Sequence, residues 1–345
     1  MSIESIISEI RVLLKKAEKP LFFFDDDVDG LSSYLLLLHF CKSGKGTIIK
    51  STPKLSEDYK KKIDKYKPDL VIILDKPQVD SSFFTVSTPV IWIDHHQPQE
   101  HPDSWTYLNP RVFDDLDNRC TSYWCYQITQ QNEWIGACGC IADWQIPDFI
   151  PEVVKKYPQL VDPEQTYTSA PDYLYNSPLG TLIQMLTFSL KGKKSDTSAS
   201  IKSATKIKNP VELLEHTTAE AQLLQKRFEF MSQEYHTIIT QMKEQCNETD
   251  SICALTYTTN FASITTELGN ELHYLFPNQI IVIGRLHNEH YKCSLRSPHT
   301  VDLPKILTTI FTDMDGYGGG HTHACGACVH ENDWDDFIQQ IEDLS

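Results

Sequence analysis

The sequence predicts an α/β fold: an N-terminal doubly wound, mainly parallel sheet, and a smaller C-terminal α+β domain joined to it by a helical connector. Three observations predict it. Short apolar runs alternate with helix-length segments through the first third of the chain. Three of those runs, Leu21–Phe24, Leu70–Leu74 and Pro89–Ile93, stop abruptly on acids or imidazoles. Beyond Ser251 a separate pattern of strand, helix, hairpin and helix begins.

Taken in order, residues 3–18 place Ile3, Ile6, Ile7, Ile10, Val12, Leu13 and Leu14 at helical spacing. The strand Leu21–Phe24 follows, and then Gly30–Leu38, which is too long and too leucine-rich for a strand and reads as a buried helix. A short strand at Thr47–Ile49 and a charged helix at Glu57–Tyr66 precede the strands that end at Asp75 and Asp94. Strands alternating with helices imply right-handed parallel crossovers, with the ligand cleft at the carboxyl ends of the strands. Helices are expected near 121–131 and 135–143, whereas 145–177 is rich in Pro and Tyr, lacks a period and is expected to wrap the edge of the domain.

Lys191–Lys208 carries six Lys against one Asp and precedes a helix-forming segment from Pro210 to about Gln245. Together they read as a connector, which gives domains at 1–190 and 251–345 with the connector at 191–250. The C-terminal domain reads as a strand (252–257), a helix (262–275), a hairpin (279–283 and 290–296), a helix (303–311), a glycine-rich turn, a strand and a last helix (334–344).

With 345 residues the chain is long enough for two cores, and 40% hydrophobic against 23% charged residues is ordinary for a soluble protein. No apolar run approaches the roughly 18 residues needed to span a bilayer, and the N-terminal segment is charged and amphipathic rather than signal-like. A cytoplasmic location is expected, and the ten cysteines are read mainly as reduced, packed side chains. A net charge of −16 argues against a broad basic face gripping long duplex DNA, because non-specific affinity comes from Lys and Arg neutralising phosphates. A small or single-stranded substrate fits this balance better.

The strand ends carry the chemistry. In an extended segment Asp25, Asp27 and Asp29 share one face while Asp26 takes the other. These acids could merely cap the following helix, but one cap needs one Asp, and several carboxylates brought together repel strongly without cations. Asp75, Asp94, His95 and His96 would converge on the same edge if the strands are parallel. Oxygen and imidazole donors suit manganese or magnesium, and two ions roughly 3.5–4 Å apart sharing a carboxylate activate water for attack on phosphate esters.

These residues resemble a known family. Asp27-Val28-Asp29-Gly30, Asp75 and Asp94-His95-His96 are similar to the first three motifs of the DHH phosphoesterases, and Gly139–Asp143 to the fourth. Gly318-Gly319-Gly320-His321 resembles the glycine-rich signature of the family's associated C-terminal domain. The resemblance implies one Mn2+ (or Mg2+) held by Asp25, Asp27 and Asp75 and a second by Asp29, Asp75, His95 and Asp143, with Asp94 and His96 beside them or facing the phosphate. Many members carry His at the position of Asp25. The resemblance also implies that Arg296 contacts the substrate phosphate and that Gly318, Gly319, Gly320 and His321 bind the substrate's nucleotide, although three glycines and a His alone are more often a tight turn. His321, His323, Cys325 and Cys328 are too crowded along the chain to close a tetrahedral zinc site readily.

The expected activity is metal-dependent hydrolysis of single-stranded DNA or RNA, or of short oligonucleotides, to nucleoside 5′-monophosphates, as in RecJ-like exonucleases and nanoRNases. Two alternatives stand beside it. One is a cyclic-dinucleotide phosphodiesterase. The other is a non-catalytic replication or repair scaffold, against which stands the fact that every ligand position is filled. Replication or repair proteins are conceivable partners of either a nuclease or a scaffold, and no membrane partner is expected.

Overall fold

The computed structural model describes residues 2–50, 52–247, 249–259 and 262–345. The chain divides into two compact units, one running to Leu190 and including Thr197–Phe228, the other made of Lys191–Asp196 and Glu229–Ser345.

In the first unit, α1 (Ile3–Lys16) is capped by the side chain of Ser2. It is followed by β1 (Pro20–Asp25), α2 (Val28–Cys41), β2 (Lys45–Ile49), β3 (Lys54–Leu55), α3 (Lys60–Tyr66), β4 (Leu70–Leu74), β5 (Gln78–Val79), β6 (Val90–Ile93) and β7 (Thr106–Leu108). Strands β2-β1-β4-β6-β7 form one sheet in which every pairing is parallel, and β3 pairs with β5 in a small parallel ladder.

Both faces of the main sheet are covered, which is why its strands read as unbroken apolar runs. Phe22, Phe24, Ile72, Leu74, Ile91 and Ile93 pack into the core built with α1 and α2. Their alternates Leu21, Phe23, Val71, Ile73, Val90 and Trp92 pack into the core of the other face. Fully burying an aliphatic or aromatic side chain contributes about 2 kcal/mol, so this double burial holds the strand register firmly. From β1 the chain moves outward to β2, then crosses back to β4 on the other side of β1. The switch point therefore lies between the carboxyl ends of β1 and β4, where a ligand crevice opens in this kind of sheet.

Helices α4 (Thr121–Thr129) and α5 (Glu133–Ala142) pack on α2. Residues 145–177, expected to be irregular, contain two short helices, α6 (Ile150–Lys156) and α7 (Ala170–Asn176). Seven residues are too few to establish a period. The signals were the prolines at the first turns and the capping box of Ser169 and Asp172.

After α8 (Pro178–Ser189), the basic segment is partly folded: α9 (Lys194–Ala204) buries Thr197, Ser200 and Ser203. The helix expected from Pro210 is interrupted, with α10 (Pro210–Leu214) separated from α11 (Ala219–Gln245) by a turn in which His216 has φ 52°.

The second unit contains β8 (Ile252–Tyr257), α12 (Thr265–Leu275), β9 (Ile280–His287), β10 (His290–Arg296), α13 (Leu303–Ile310), β11 (Gly316–His321), β12 (Ala324–His330) and α14 (Trp334–Leu344). Its sheet has the order β11-β12-β10-β9-β8, antiparallel except for β8 beside β9. Val282, Leu295, Leu307, Val329, Phe337 and Ile341 form its core.

Two expectations change here. The glycine-rich stretch is an exposed edge strand rather than a turn, because Gly316–His321 pairs with Ala324–Val329 of β12. Cys246 and Cys253 form a disulfide instead of staying reduced, since the end of α11 and the second residue of β8 place their Cα atoms 5.6 Å apart. No helix among the described residues is long and apolar enough to cross a membrane.

Candidate metal centre

The switch point gathers the strand-end acids. Asp25 closes β1, and Asp75 follows β4 with φ 55°, a left-handed conformation that Asp tolerates better than most residues and that re-aims the side chain. The Asp75 backbone N–H still donates to Ile93 O at 3.0 Å, and that of Asp94 to Leu108 O at 3.1 Å, so the ladder holds both residues at the sheet edge.

Two groups of ligand atoms result. Asp25, Asp27 and Asp75 each present an oxygen within 4.8 Å of the others, and so do donor atoms of Asp75, His95 and His96. Asp75 belongs to both groups. His95 Nε2 lies 3.5 Å from Asp75 Oδ1, and His95 Nδ1 lies 3.9 Å from Asp143 Oδ2. Asp94 is fully buried and receives the His96 backbone N–H at 3.0 Å and Nδ1 at 2.9 Å, which sets the orientation of that imidazole.

Asp29 is placed differently from the extended-chain expectation. The helix begins at Val28 with Asp27 as its cap, Asp27 Oδ1 accepting from Gly30 N at 2.9 Å, so Asp29 lies in the first helical turn. Its Oδ2 accepts from Thr121 N at 2.9 Å and its Oδ1 from Ser122 N at 2.8 Å, at the start of α4. Its charge nevertheless reaches the centre, since after burial it is the next cause that raises the pKa of both Asp75 and Asp143.

The electrostatics fit divalent cations. Burial, and then the charges of Asp29, Asp27, Asp25 and Asp94, push the Asp75 carboxyl well above the ordinary carboxylate range. Burial and Asp27 raise Asp25 to about 7 against the opposing pull of Lys76. Burial disfavours charging of His96, but its hydrogen bond to Asp94 and the charges of Asp94, Asp27 and Asp29 outweigh that and raise it above 6.5. A cation placed among these groups would relieve the penalties on Asp75 and Asp25 and favour the neutral His96 imidazole, the form that can act as a donor atom.

Sequence reasoning missed three supporting residues. Lys76, directly after Asp75, is fully buried and reaches Asp25 Oδ1 at 2.8 Å. A Lys closing a fully buried apolar run was the signal available for it. Thr121 Oγ1 donates to Asp75 Oδ1 at 3.1 Å, and Gln145 Nε2 donates to Asp143 Oδ2 at 3.1 Å and Asn118 O at 2.7 Å. Nothing local in the sequence marked these two.

In the second unit, Arg296 closes β10 with Nε on Asn270 Oδ1 at 2.6 Å and Nη1 on Ser294 Oγ at 3.0 Å. Burial, and then the neighbouring Arg296, His299 and His323, hold His273 below its usual value. Gly318, Gly319, Gly320 and His321 lie exposed along β11. Cys325 and Cys328 are buried in β12 as free thiols, and neither belongs to a metal-ligand group found among the described residues.

The DHH family N-terminal domain matches residues 21–145, and the DHHA1 domain matches residues 255–344. The chain belongs to the DHH phosphoesterase family. Its metal centre falls inside the first match and its glycine-rich edge strand inside the second. No curated protein matches it significantly.

Among solved structures, RecJ of Thermus thermophilus in complex with Mn2+ is similar at 13% identity and a TM-score of 0.68, covering 99% of this chain and 54% of that one. This DHH protein thus spans about half the length of that relative. A pGpG-specific phosphodiesterase from Vibrio cholerae is similar at 15% identity and a TM-score of 0.54, covering 95% and 100%. CDC45 from Entamoeba histolytica is similar at 12% identity and a TM-score of 0.51, covering 99% and 98%. At these identities the likeness is one of fold.

Proposed function

We propose that this DHH protein is a metal-dependent phosphodiesterase that hydrolyses single-stranded nucleic acid or short oligonucleotides to nucleoside 5′-monophosphates. The observation that carries the reading is the pair of ligand groups sharing Asp75 at the sheet's switch point. Asp25, Asp27 and Asp75 would hold one divalent ion, Mn2+ or Mg2+. Asp75 and His95 would hold a second, with Asp29 and Asp143 completing it from the neighbouring helices and His96 within reach. When bound, such ions supply Lewis-acid polarisation of a phosphate ester and a water nucleophile at neutral pH.

The chain's own groups do the rest. Asp94 fixes the His96 ring so that its outer nitrogen can bond a phosphate oxygen or a proton in transit. Gln145 and Asn118 tie the Asp143 loop to the segment that supports His95. In the second unit, Arg296 and His321 would grip the substrate phosphate, with the backbone of Gly318–Gly320 left uncovered for close approach.

A second reading, hydrolysis of a dinucleotide, is favoured by the −16 charge, which limits how many phosphates the protein can neutralise, and by the fold shared over full length with a pGpG-specific enzyme. The test is to supply purified protein and Mn2+ with labelled DNA and RNA strands and with linear and cyclic dinucleotides. Metal-dependent release of 5′-monophosphates from strands supports the proposal; cleavage confined to dinucleotides favours the second reading, and no cleavage of any substrate overturns both.

A further inference from the structure

Lys76 has a side chain with no solvent exposure. Lysines are almost never fully buried unless paired, because the ammonium loses its hydration. Its Nζ donates to Asp25 Oδ1 at 2.8 Å and to Thr52 O at 2.6 Å, so its one anionic partner is a residue of the acid cluster. The backbone is also fixed, since buried Trp92 donates its Nε1–H to Lys76 O at 3.1 Å. Asp25 Oδ1 further accepts the Asp26 backbone N–H at 2.8 Å. One oxygen of Asp25 is thus committed to two protein donors, and Oδ2 is left for a cation shared with Asp27 and Asp75.

Six carboxylates, those of Asp25, Asp27, Asp29, Asp75, Asp94 and Asp143, crowd this edge. Among the described residues a single ammonium, that of Lys76, bridges to any of them. Its fixed charge is aimed at one metal position and not at the other. Repulsion between like charges in a poorly hydrated site is stronger than at a surface, so the ion beside Asp25 feels Lys76 most.

We infer that Lys76 is a positioning residue that makes Asp25 a charge-compensated ligand and thereby weakens divalent-ion binding at the Asp25–Asp27–Asp75 position relative to the position of Asp75 and His95. The two positions then fill in order, the imidazole-bearing one first. Exchange of the ion beside Asp25 is set by an internal cation that needs no change of fold. The inference rests on the proposed metal-binding reading.

The test is calorimetric and spin-resonance titration of metal-stripped protein with Mn2+, which reads binding without turnover. The wild type should bind two ions with unequal affinity. Lys76→Met, close to Lys in length and uncharged, should tighten the weaker ion by about tenfold or more, and adding Asp25→Asn to it should return the affinity to within about threefold of wild type. Asp25→Asn alone leaves the ammonium unpaired and should abolish the weaker ion while the tighter one stays. That variant keeps the inference testable if Lys76→Met does not fold. Unchanged or weakened binding in Lys76→Met, or two unaltered ions in Asp25→Asn, overturns the role of Lys76. A wild type that binds no Mn2+ overturns the metal reading itself.

Discussion

Asp75 stands between both ligand groups and is raised by burial and then by four neighbouring carboxylates, so its loss should be felt at both positions. Asp75→Asn keeps size and the Thr121 contact, and should lower kcat by at least about a hundredfold with circular dichroism unchanged. Turnover near wild type in Mn2+ would remove Asp75 from the centre. The same charges predict how stability responds to pH. Asp25 rises from 3.8 to about 7 in the folded chain, so between those values the folded state binds more protons than the unfolded one. Stability of the metal-stripped protein should then fall as pH rises from 4 through 7, the opposite of the usual paired-carboxylate case. Melting temperatures at pH 5 and pH 8 in chelator would show it, and Mn2+ should raise the melting temperature more at pH 8 than at pH 5. A chelated protein more stable at pH 8 would contradict the account. Asp25, Asp75 and His95 were legible because strand alternation and the parallel pattern place strand ends together. The Asp29 contact with α4 was not legible, since it depends on where α2 begins: one residue after Asp27 the chain is already helical and the two-residue alternation no longer applies.

Among the elements, β11 holds glycines that packing explains and one that it does not. A Cβ at Gly320 would sit 2.4 Å from Ala324 O at φ 150°, and one at Gly318 would press on Phe311 and Leu307, so packing explains both. A Cβ at Gly319 would meet nothing within 4 Å, and packing does not explain it. Gly319→Val should therefore leave the melting temperature within about 2 °C, in line with a surface substitution, while raising KM at least about tenfold and leaving Mn2+ affinity unaltered. An unchanged KM would return this edge strand to a structural role. The sequence marked these glycines but not their geometry. Glycine lacks the β-branched and aromatic signature by which strands are read, and the pairing with β12 that makes Gly316–His321 a strand is not local. Helices with clear periods, such as α1, α13 and α14, matched their expected ranges within two residues, whereas the seven-residue α6 and α7 were too short to show a period.

For the whole molecule, charge bears on substrate size. At −16, with the basic stretch 191–208 partly folded into α9, the protein can neutralise few phosphates, so affinity should stop rising once a strand outgrows its binding residues. Replacing both Lys193 and Lys194 by Glu should slow cleavage of long strands selectively, read as a change in the ratio of long-strand to short-strand rates. The parallel sheet, the site at the carboxyl ends of its strands and the smaller α+β unit were all foreshadowed by strand and helix alternation, because that pattern reports burial on two faces. The disulfide of Cys246 and Cys253 was not, since bridge formation follows spatial approach that seven residues of separation do not reveal. The measurement that tests the central claim most directly is a length series: Mn2+-dependent release of nucleoside 5′-monophosphates from strands of about two to five and about twenty or more nucleotides, at low and moderate salt, beside Asp75→Asn. The account predicts cleavage of the short strands at least as efficient as that of the long ones, weak salt dependence and at least about a hundredfold less product from the variant. Activity that climbs steadily with length and collapses in moderate salt, or stays near wild type in Asp75→Asn, would contradict it.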